Sequence, residues 1–247
     1  MCFSHTALLR AAAIMGQHFV CYTHFMKIKK IGHCCLLIQV DGLTILTDPG
    51  SYSVDQNTIT NIDVVLITHE HGDHLHVGSV KEILKNNPEA RVITNSGVGA
   101  ILAKENIPYL IAEGRSAIEV VAGINLEAYD GRHEEIFEEL GQVQNTGYFI
   151  SHMDGSATFP SLFYPGDSYI QPGKAVDILA LPVSGPWCKI PDALRYAIAV
   201  KPKKAFPVHD AMIKKEMIGG LHGNTQKVLG EHGIEFTAMI EGDEKEF

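Results

Sequence analysis

From residue 27 onward, short apolar runs alternate with amphipathic stretches, and neither a linker nor a repeat interrupts the pattern. Residues 26–31 read as a first strand, and residues 33–40 form a nearly continuous apolar run. Asp41-Gly42 is a hairpin signal, with residues 43–46 as the returning strand. Residues 63–68 (Asp-Val-Val-Leu-Ile-Thr) are rich in β-branched side chains and read as a buried strand. Short helices are expected at 80–84 and 99–106, with a strand at 92–94 between them. Strands follow at 117–121, 124–129, 146–152, 159–164 and 178–181. Pro191 opens a helix to residue 200, and Pro202 closes it. A strand at 205–208, a helix at 225–232 ending before Gly233, and a strand at 235–239 complete the chain. Two halves, each with hairpin strands and then strand–helix alternation, predict an α+β fold: two sheets face to face with helices outside.

Residues 1–25 fit this pattern poorly. Arg10 breaks the apolar stretch 7–15, and Gln17 and His18 follow it, so the segment lacks the layout of a secretory signal. The expectation is a non-essential N-terminal extension followed by one domain over residues 26–247.

Composition narrows the function classes. Of 247 residues, 45% are hydrophobic, enough for a sizeable core. Lys and Arg number 20 against 29 Asp and Glu, a net charge of −9 that argues against a nucleic-acid partner held on a broad basic surface. No apolar run approaches the ~18–20 residues of a membrane span, so no membrane partner is expected. The five cysteines include no CxxC pair, and Cys34 and Cys35 point to opposite faces of their strand. The expected compartment is therefore the reducing cytoplasm.

Histidine is the unusual residue, with 13 copies. Thr68-His69-Glu70-His71-Gly72-Asp73-His74 follows directly on the 63–68 strand. His-x-His-x-Asp-His cannot aim every group at one point, but the four can divide between two adjacent metals. His69 and His71 serve one, Asp73 and His74 the other. Imidazole and carboxylate donors suit zinc, and also manganese or iron. More candidates stand just past strand ends: His133, Asp167 and His209.

The ordered set Asp48, His69, His71, Asp73, His74, His133, Asp167 and His209 resembles the metallo-β-lactamase superfamily. So do Ile31-Gly32-His33-Cys34-Cys35, Leu46-Thr47-Asp48-Pro49 and Tyr164-Pro165-Gly166-Asp167-Ser168. The nearest likeness is to the compact bacterial branch that includes ascorbate-6-phosphate lactonase-like hydrolases. The resemblance implies a four-layer αββα sandwich and a binuclear centre with two divalent ions, zinc first and manganese or iron as alternatives. It implies that His69, His71 and His133 bind metal one, that Asp73, His74 and His209 bind metal two, and that Asp167 bridges them. Asp48 is implied as the acceptor that orients a ligating imidazole. The implied reaction is hydrolysis of a small ester, lactone or phosphoester by a metal-bridging hydroxide that Asp73 helps to orient.

Two alternatives stand beside that reading: a non-catalytic metal-binding or sensing module, and a secreted β-lactamase. The second is disfavoured, because secreted members of the superfamily place Cys where this chain has Asp167. Trp187 is equally a pocket wall or a cap on the core, and Lys189 is expected to be solvated. His33 is expected to be a buried structural residue, with a place near the site as the alternative. Glu134 is expected in a solvated acidic run, and His76, His152, His222 and His232 as ordinary surface or loop residues. The same holds for His5, His18 and His24 in the extension.

Overall fold

The computed structural model describes residues 25–121, 123–152 and 159–247. The extension, with Cys2, Cys21, His5, His18 and His24, falls outside the described residues apart from its last position.

The chain builds two seven-stranded mixed sheets, the first from the N-terminal half with the last strand of the chain added at its edge, the second from the C-terminal half. The first holds β1 (Lys27–Gly32), β2 (Cys35–Val40), β3 (Leu43–Thr47), β4 (Val64–Leu66), β5 (Arg91–Thr94), β6 (Leu110–Ile111) and β14 (Glu244–Glu246), in the order β14-β1-β2-β3-β4-β5-β6. The second holds β7 (Ala117–Val121), β8 (Ile124–Arg132), β9 (Gln144–His152), β10 (Leu162–Tyr164), β11 (Ile178–Pro182), β12 (Lys204–Val208) and β13 (Glu235–Phe236), in the order β13-β12-β11-β10-β9-β8-β7. In both halves an antiparallel meander passes into parallel strands: β3, β4, β5 and β6 in one, β10, β11, β12 and β13 in the other.

The period-two alternation of strand side chains explains why both faces of each sheet are apolar. Val64 and Leu66 enter the layer between the sheets, where they meet Tyr148, Ile150, Leu162, Ala180 and Phe206. Val65 and Ile67 face outward, under α1 (Val77–Asn86) and α2 (Ser96–Lys104), against Val80, Ile83, Val98 and Leu102. On the far side, Phe163, Leu179, Leu181 and Ala205 pack under α3 (Ile190–Val200) and α4 (Lys215–Glu231), against Ala193, Tyr196, Leu221 and Leu229. The order of layers is αββα. Cys34 and Cys35 divide between the central and outer layers as their adjacency requires.

Local chemistry sets the element ends. Asp41 and Gly42 both take positive φ, the backbone of a tight hairpin turn. Asn95 caps α2 by accepting from the Val98 N–H at 3.0 Å. His76, expected as an ordinary loop residue, caps α1 by accepting from the Ser79 N–H at 3.2 Å.

Several element bounds need correction. The last helix runs from Lys215 rather than 225. Gly219, Gly220 and Gly223 weaken its intrinsic propensity, yet Leu221, Thr225 and Leu229 form a buried stripe at i, i+4 and i+8 that packing rewards. The strands expected at 159–164 and 235–239 shrink to β10 and β13. The edge strands β6 and β14 carry too few residues for a periodic signal, and the charged Glu-Lys-Glu of β14 protects a sheet edge.

One buried charge pair ties β1 to the turn that follows β12. Lys30 has no exposed surface; its Nζ donates to Asp210 Oδ2 at 2.6 Å and to the Pro207 carbonyl at 3.0 Å. Lys30→Met strands the Asp210 carboxylate in the interior and is expected to cost about 3–5 kcal/mol in urea unfolding. A loss below about 1 kcal/mol would show that water reaches Asp210 freely.

Candidate metal centre

Every sequence-derived site residue lies just beyond the C-terminal end of a strand, along one edge of the sandwich. Asp48 follows β3, the 69–74 loop follows β4, His133 follows β8, Asp167 follows β10 and His209 follows β12. Two glycines make this closure possible. A Cβ on Gly50 would lie 1.8 Å from the Asp73 carbonyl oxygen, and one on Gly166 would lie 2.4 Å from Asn145 Oδ1. His33, Asp48 and His209 all hold positive φ, a backbone cost that accumulates at sites the surrounding fold over-determines.

Asp167 is the hub. Its Oδ1 lies 3.1 Å from His74 Nε2. Its Oδ2 lies 2.9 Å from His209 Nε2, 3.2 Å from His133 Nε2 and 3.9 Å from His69 Nε2. The half-buried His71 stacks edge-on near His69 and His133, with ring centroids 4.8 and 4.5 Å away. Asp73 Oδ2 stands 3.6 Å from His209 Nε2 and 3.9 Å from His74 Nε2. Donor atoms of His69, His71 and His133 lie within 4.8 Å of one another, as do those of His69, His74 and Asp167.

What surrounds the imidazoles fixes which nitrogen faces the centre. His74 Nδ1 donates to Asp48 Oδ2 at 2.7 Å, and His69 Nδ1 to the Thr68 hydroxyl at 3.0 Å. That hydroxyl passes its own proton to Asp48 Oδ2 at 2.8 Å. His133 Nδ1 donates to the Glu134 carbonyl and His209 Nδ1 to the Ser184 carbonyl. With each Nδ1 committed outward, four Nε2 atoms turn toward Asp167, which is how proteins prepare imidazoles for a cation. His69 Nε2, His74 Nε2, His209 Nε2 and Asp167 Oδ1 are buried and meet no hydrogen-bonding group outside the cluster. So many buried lone-pair atoms aimed only at one another form a donor set that fits a bound cation.

His33 is buried, as expected, and it sits in this cluster. Its Nδ1 accepts from the Ala211 N–H at 3.3 Å, so Nε2 carries the proton and donates to Asp73 Oδ2 at 3.2 Å. It steadies Asp73 and offers no lone pair to a metal. Trp187 both packs in the outer layer and touches the centre, its Nε1 donating to Asp167 Oδ2 at 3.1 Å. Glu134 is half-buried rather than solvated, and its carboxylate accepts from the Tyr169 N–H at 3.0 Å. Lys189 is exposed, as expected. His222 is buried, contrary to expectation. Sequence reasoning also passed over Tyr164, whose hydroxyl donates to Asp48 Oδ2, and Asn145, which accepts from the Asp167 N–H at 3.0 Å. Tyr164 stands inside the Tyr-Pro-Gly-Asp-Ser motif, which was the available signal.

Electrostatics link the centre to pH. Burial lowers the His69 and His71 pKa values and keeps both neutral. For His74 and His209 burial also works downward, but the Asp167 carboxylate outweighs it and lifts both well above the usual imidazole value. Burial works against the ionised Asp167, yet His74 and His209 outweigh it and hold its carboxyl well below the usual range. The metal-free pairing therefore stabilises the fold above the unfolded carboxylate range, and that stability is lost as pH falls through Asp167's depressed value. The imidazole contribution is present below about pH 6.5 and is lost as pH rises through the elevated values of His74 and His209. A metal binding here competes with protons for both imidazoles, whose affinity for protons Asp167 raises. Zinc titration by calorimetry in buffers of different ionisation enthalpy is expected to show net proton release. Heats independent of buffer would contradict it.

An αββα sandwich with a buried His/Asp cluster on its strand-end edge defines a metal-binding scaffold. Residues 27–209 match the Beta-lactamase superfamily domain, and the chain belongs to that family. It is 32% identical over 198 residues to Rv0786c of Mycobacterium tuberculosis, spanning 80% of this chain and 90% of that protein. It is 28% identical over 194 residues to a UPF0173 metal-dependent hydrolase of Nanoarchaeum equitans, spanning 74% of this chain and 83% of that one. Its fold superposes on Igni18, a metallo hydrolase of the archaeon Ignicoccus hospitalis, with a TM-score of 0.70, 22% identity and coverage of 90% and 98% of the two chains. Among the described residues no helix is long and apolar enough to cross a membrane.

Proposed function

We propose that the chain is a metal-dependent hydrolase that cleaves a small ester, lactone or phosphoester with water activated at two divalent cations. The observation that carries this reading is the convergence of the buried His69, His74 and His209 Nε2 atoms on Asp167, with no partner outside the cluster. His69, His71 and His133 would hold one cation, Asp73, His74 and His209 the other, and Asp167 both. A donor set of nitrogen and oxygen fits zinc first, with manganese or iron also suited. Such cations lower the pKa of water toward about 7 and polarise the oxygen that gains charge.

The chain's own residues supply orientation. Asp73 is the more exposed carboxylate of the centre, with 19% of its side chain accessible against 2% for Asp167, so it is the one placed to accept a hydrogen bond from the attacking water. His33 fixes its Oδ2. Trp187 and His133 wall the centre on the Asp167 side. Cysteine chemistry does not compete: burial pushes the Cys34 and Cys188 thiols up, away from the thiolate form. The free thiols of Cys34, Cys35 and Cys188 fit a reducing cytoplasm.

The test is elemental analysis of protein purified without added metal, followed by a screen of esters, lactones, phosphodiesters and thioesters with the metal found. Two equivalents of metal are expected, with turnover lost on chelation and restored on reloading. Full loading without turnover of any of these would instead identify a metal-binding or sensing module.

A further inference from the structure

A cavity of about 400 Å³ adjoins the metal centre, with His33 as the shared wall. Its other lining includes Tyr52, Asp210, Ile213, Ile218 and His222. The mouth is partly apolar: Tyr52 is half exposed and lies with its ring 5.0 Å from that of His33. The floor is polar and unusual. His222 is only 6% exposed, and its Nε2 has no hydrogen-bond partner. The nearest acid oxygen, Asp210 Oδ2, is 4.0 Å away, too far for a hydrogen bond, and already receives the Lys30 ammonium at 2.6 Å.

We propose that this cavity receives the part of the substrate remote from the reacting bond, and that it takes an uncharged, chiefly aliphatic group bearing one hydroxyl. Three features lead there. Lys30 neutralises Asp210, and Lys215 and Glu241 at the lining cancel in sign, so nothing selects an ionic ligand. Ile213 and Ile218 offer apolar surface to a carbon chain. Between His222 Nε2 and Asp210 Oδ2, a single hydroxyl can accept from one and donate to the other, which neither a pure hydrocarbon nor a carboxylate does. Burial holds His222 below the usual imidazole pKa, so the floor stays neutral near pH 7. A substrate whose bond is cleaved beside Asp73 extends past His33 and Tyr52 into this space. That placement rests on the hydrolase reading above; occupancy of the cavity does not.

The experiment titrates full-length, metal-free protein with 6-hydroxyhexanamide and with hexanamide, followed by ligand-detected NMR. The hydroxyl probe is expected to bind about tenfold more tightly than its partner. His222→Leu should reduce that ratio to about one, and Ile218→Trp should weaken both probes at least about tenfold by filling the space. Circular dichroism checks that each variant is folded, and the two substitutions lie on different turns of α4, so either one alone decides the matter. Absence of saturable binding, or binding unchanged by the variant that folds, overturns the proposal and leaves a cavity filled by solvent. Metal-dependent turnover in the ester, lactone, phosphodiester and thioester panel separates the two claims. Turnover of any panel substrate without probe binding removes the cavity assignment alone, whereas probe binding with full metal loading and no turnover across the panel removes the hydrolase reading alone.

Discussion

Replacing Asp167 with asparagine is expected to lower metal-dependent turnover by about three orders of magnitude, the largest effect of any single substitution in the chain. The amide keeps the size of the carboxylate and removes its charge. It also places an N–H group either against His74 Nε2 or among His133, His209 and the Trp187 indole, all of which lie within 3.2 Å of the present oxygens. One face of the hub then repels what it should bind. Metal content should fall in parallel. Metal-free D167N should be less stable than the parent at pH 7, because His74 and His209 lose their counter-charge, and that difference should close as pH falls below the parent's depressed carboxyl value. A kcat/KM within tenfold of the parent in chelator-treated, zinc-reloaded protein would remove Asp167 from the reaction.

The second large effect falls on a residue that touches no substrate. Asp48 is fully buried and accepts four hydrogen bonds: from the Thr68 N–H to Oδ1, and from the Thr68 hydroxyl, His74 Nδ1 and the Tyr164 hydroxyl to Oδ2. Asp48→Asn has one acceptor oxygen for these four donors. If that oxygen serves the cluster of three, the amide opposes the Thr68 N–H; if it serves Thr68, three donors are orphaned. Either arrangement weakens the acceptor that commits His74 Nδ1 outward. Zinc affinity, measured by chelator competition, should drop roughly 10–100-fold. Urea unfolding of the metal-free protein should show a loss of about 1–3 kcal/mol. An unchanged zinc affinity would mean that His74 is oriented by packing alone.

Much of this centre could be read from the chain because its densest part is local. His69, His71, Asp73 and His74 fall within six positions after an apolar strand, and their spacing alone marks them as candidate metal donors. His133, Asp167 and His209 were legible only in order, each following a strand, since the distances among them depend on how two sheets close. The layers themselves followed from period two: Val64 and Val65 point to different cores because adjacent strand residues must.

What escaped depends on tautomer and tertiary contact. Whether His33 donates to Asp73 or binds a metal is decided by the Ala211 N–H, 178 residues away. Tyr164 and Asn145 act through a hydroxyl and an amide that no spacing rule marks. His222 was hidden because it lies in a helix studded with glycines, whose pattern resembles a loop until Leu221 and Leu229 are seen against the second sheet.

The central claim is that this cluster holds two cations with Asp167 between them. Anomalous diffraction at the zinc edge, from crystals grown with zinc, tests it directly. The expected map has two peaks, one among His69, His71 and His133 and one among Asp73, His74 and His209, with Asp167 contacting both. A single peak, or none inside this set of side chains, would contradict it.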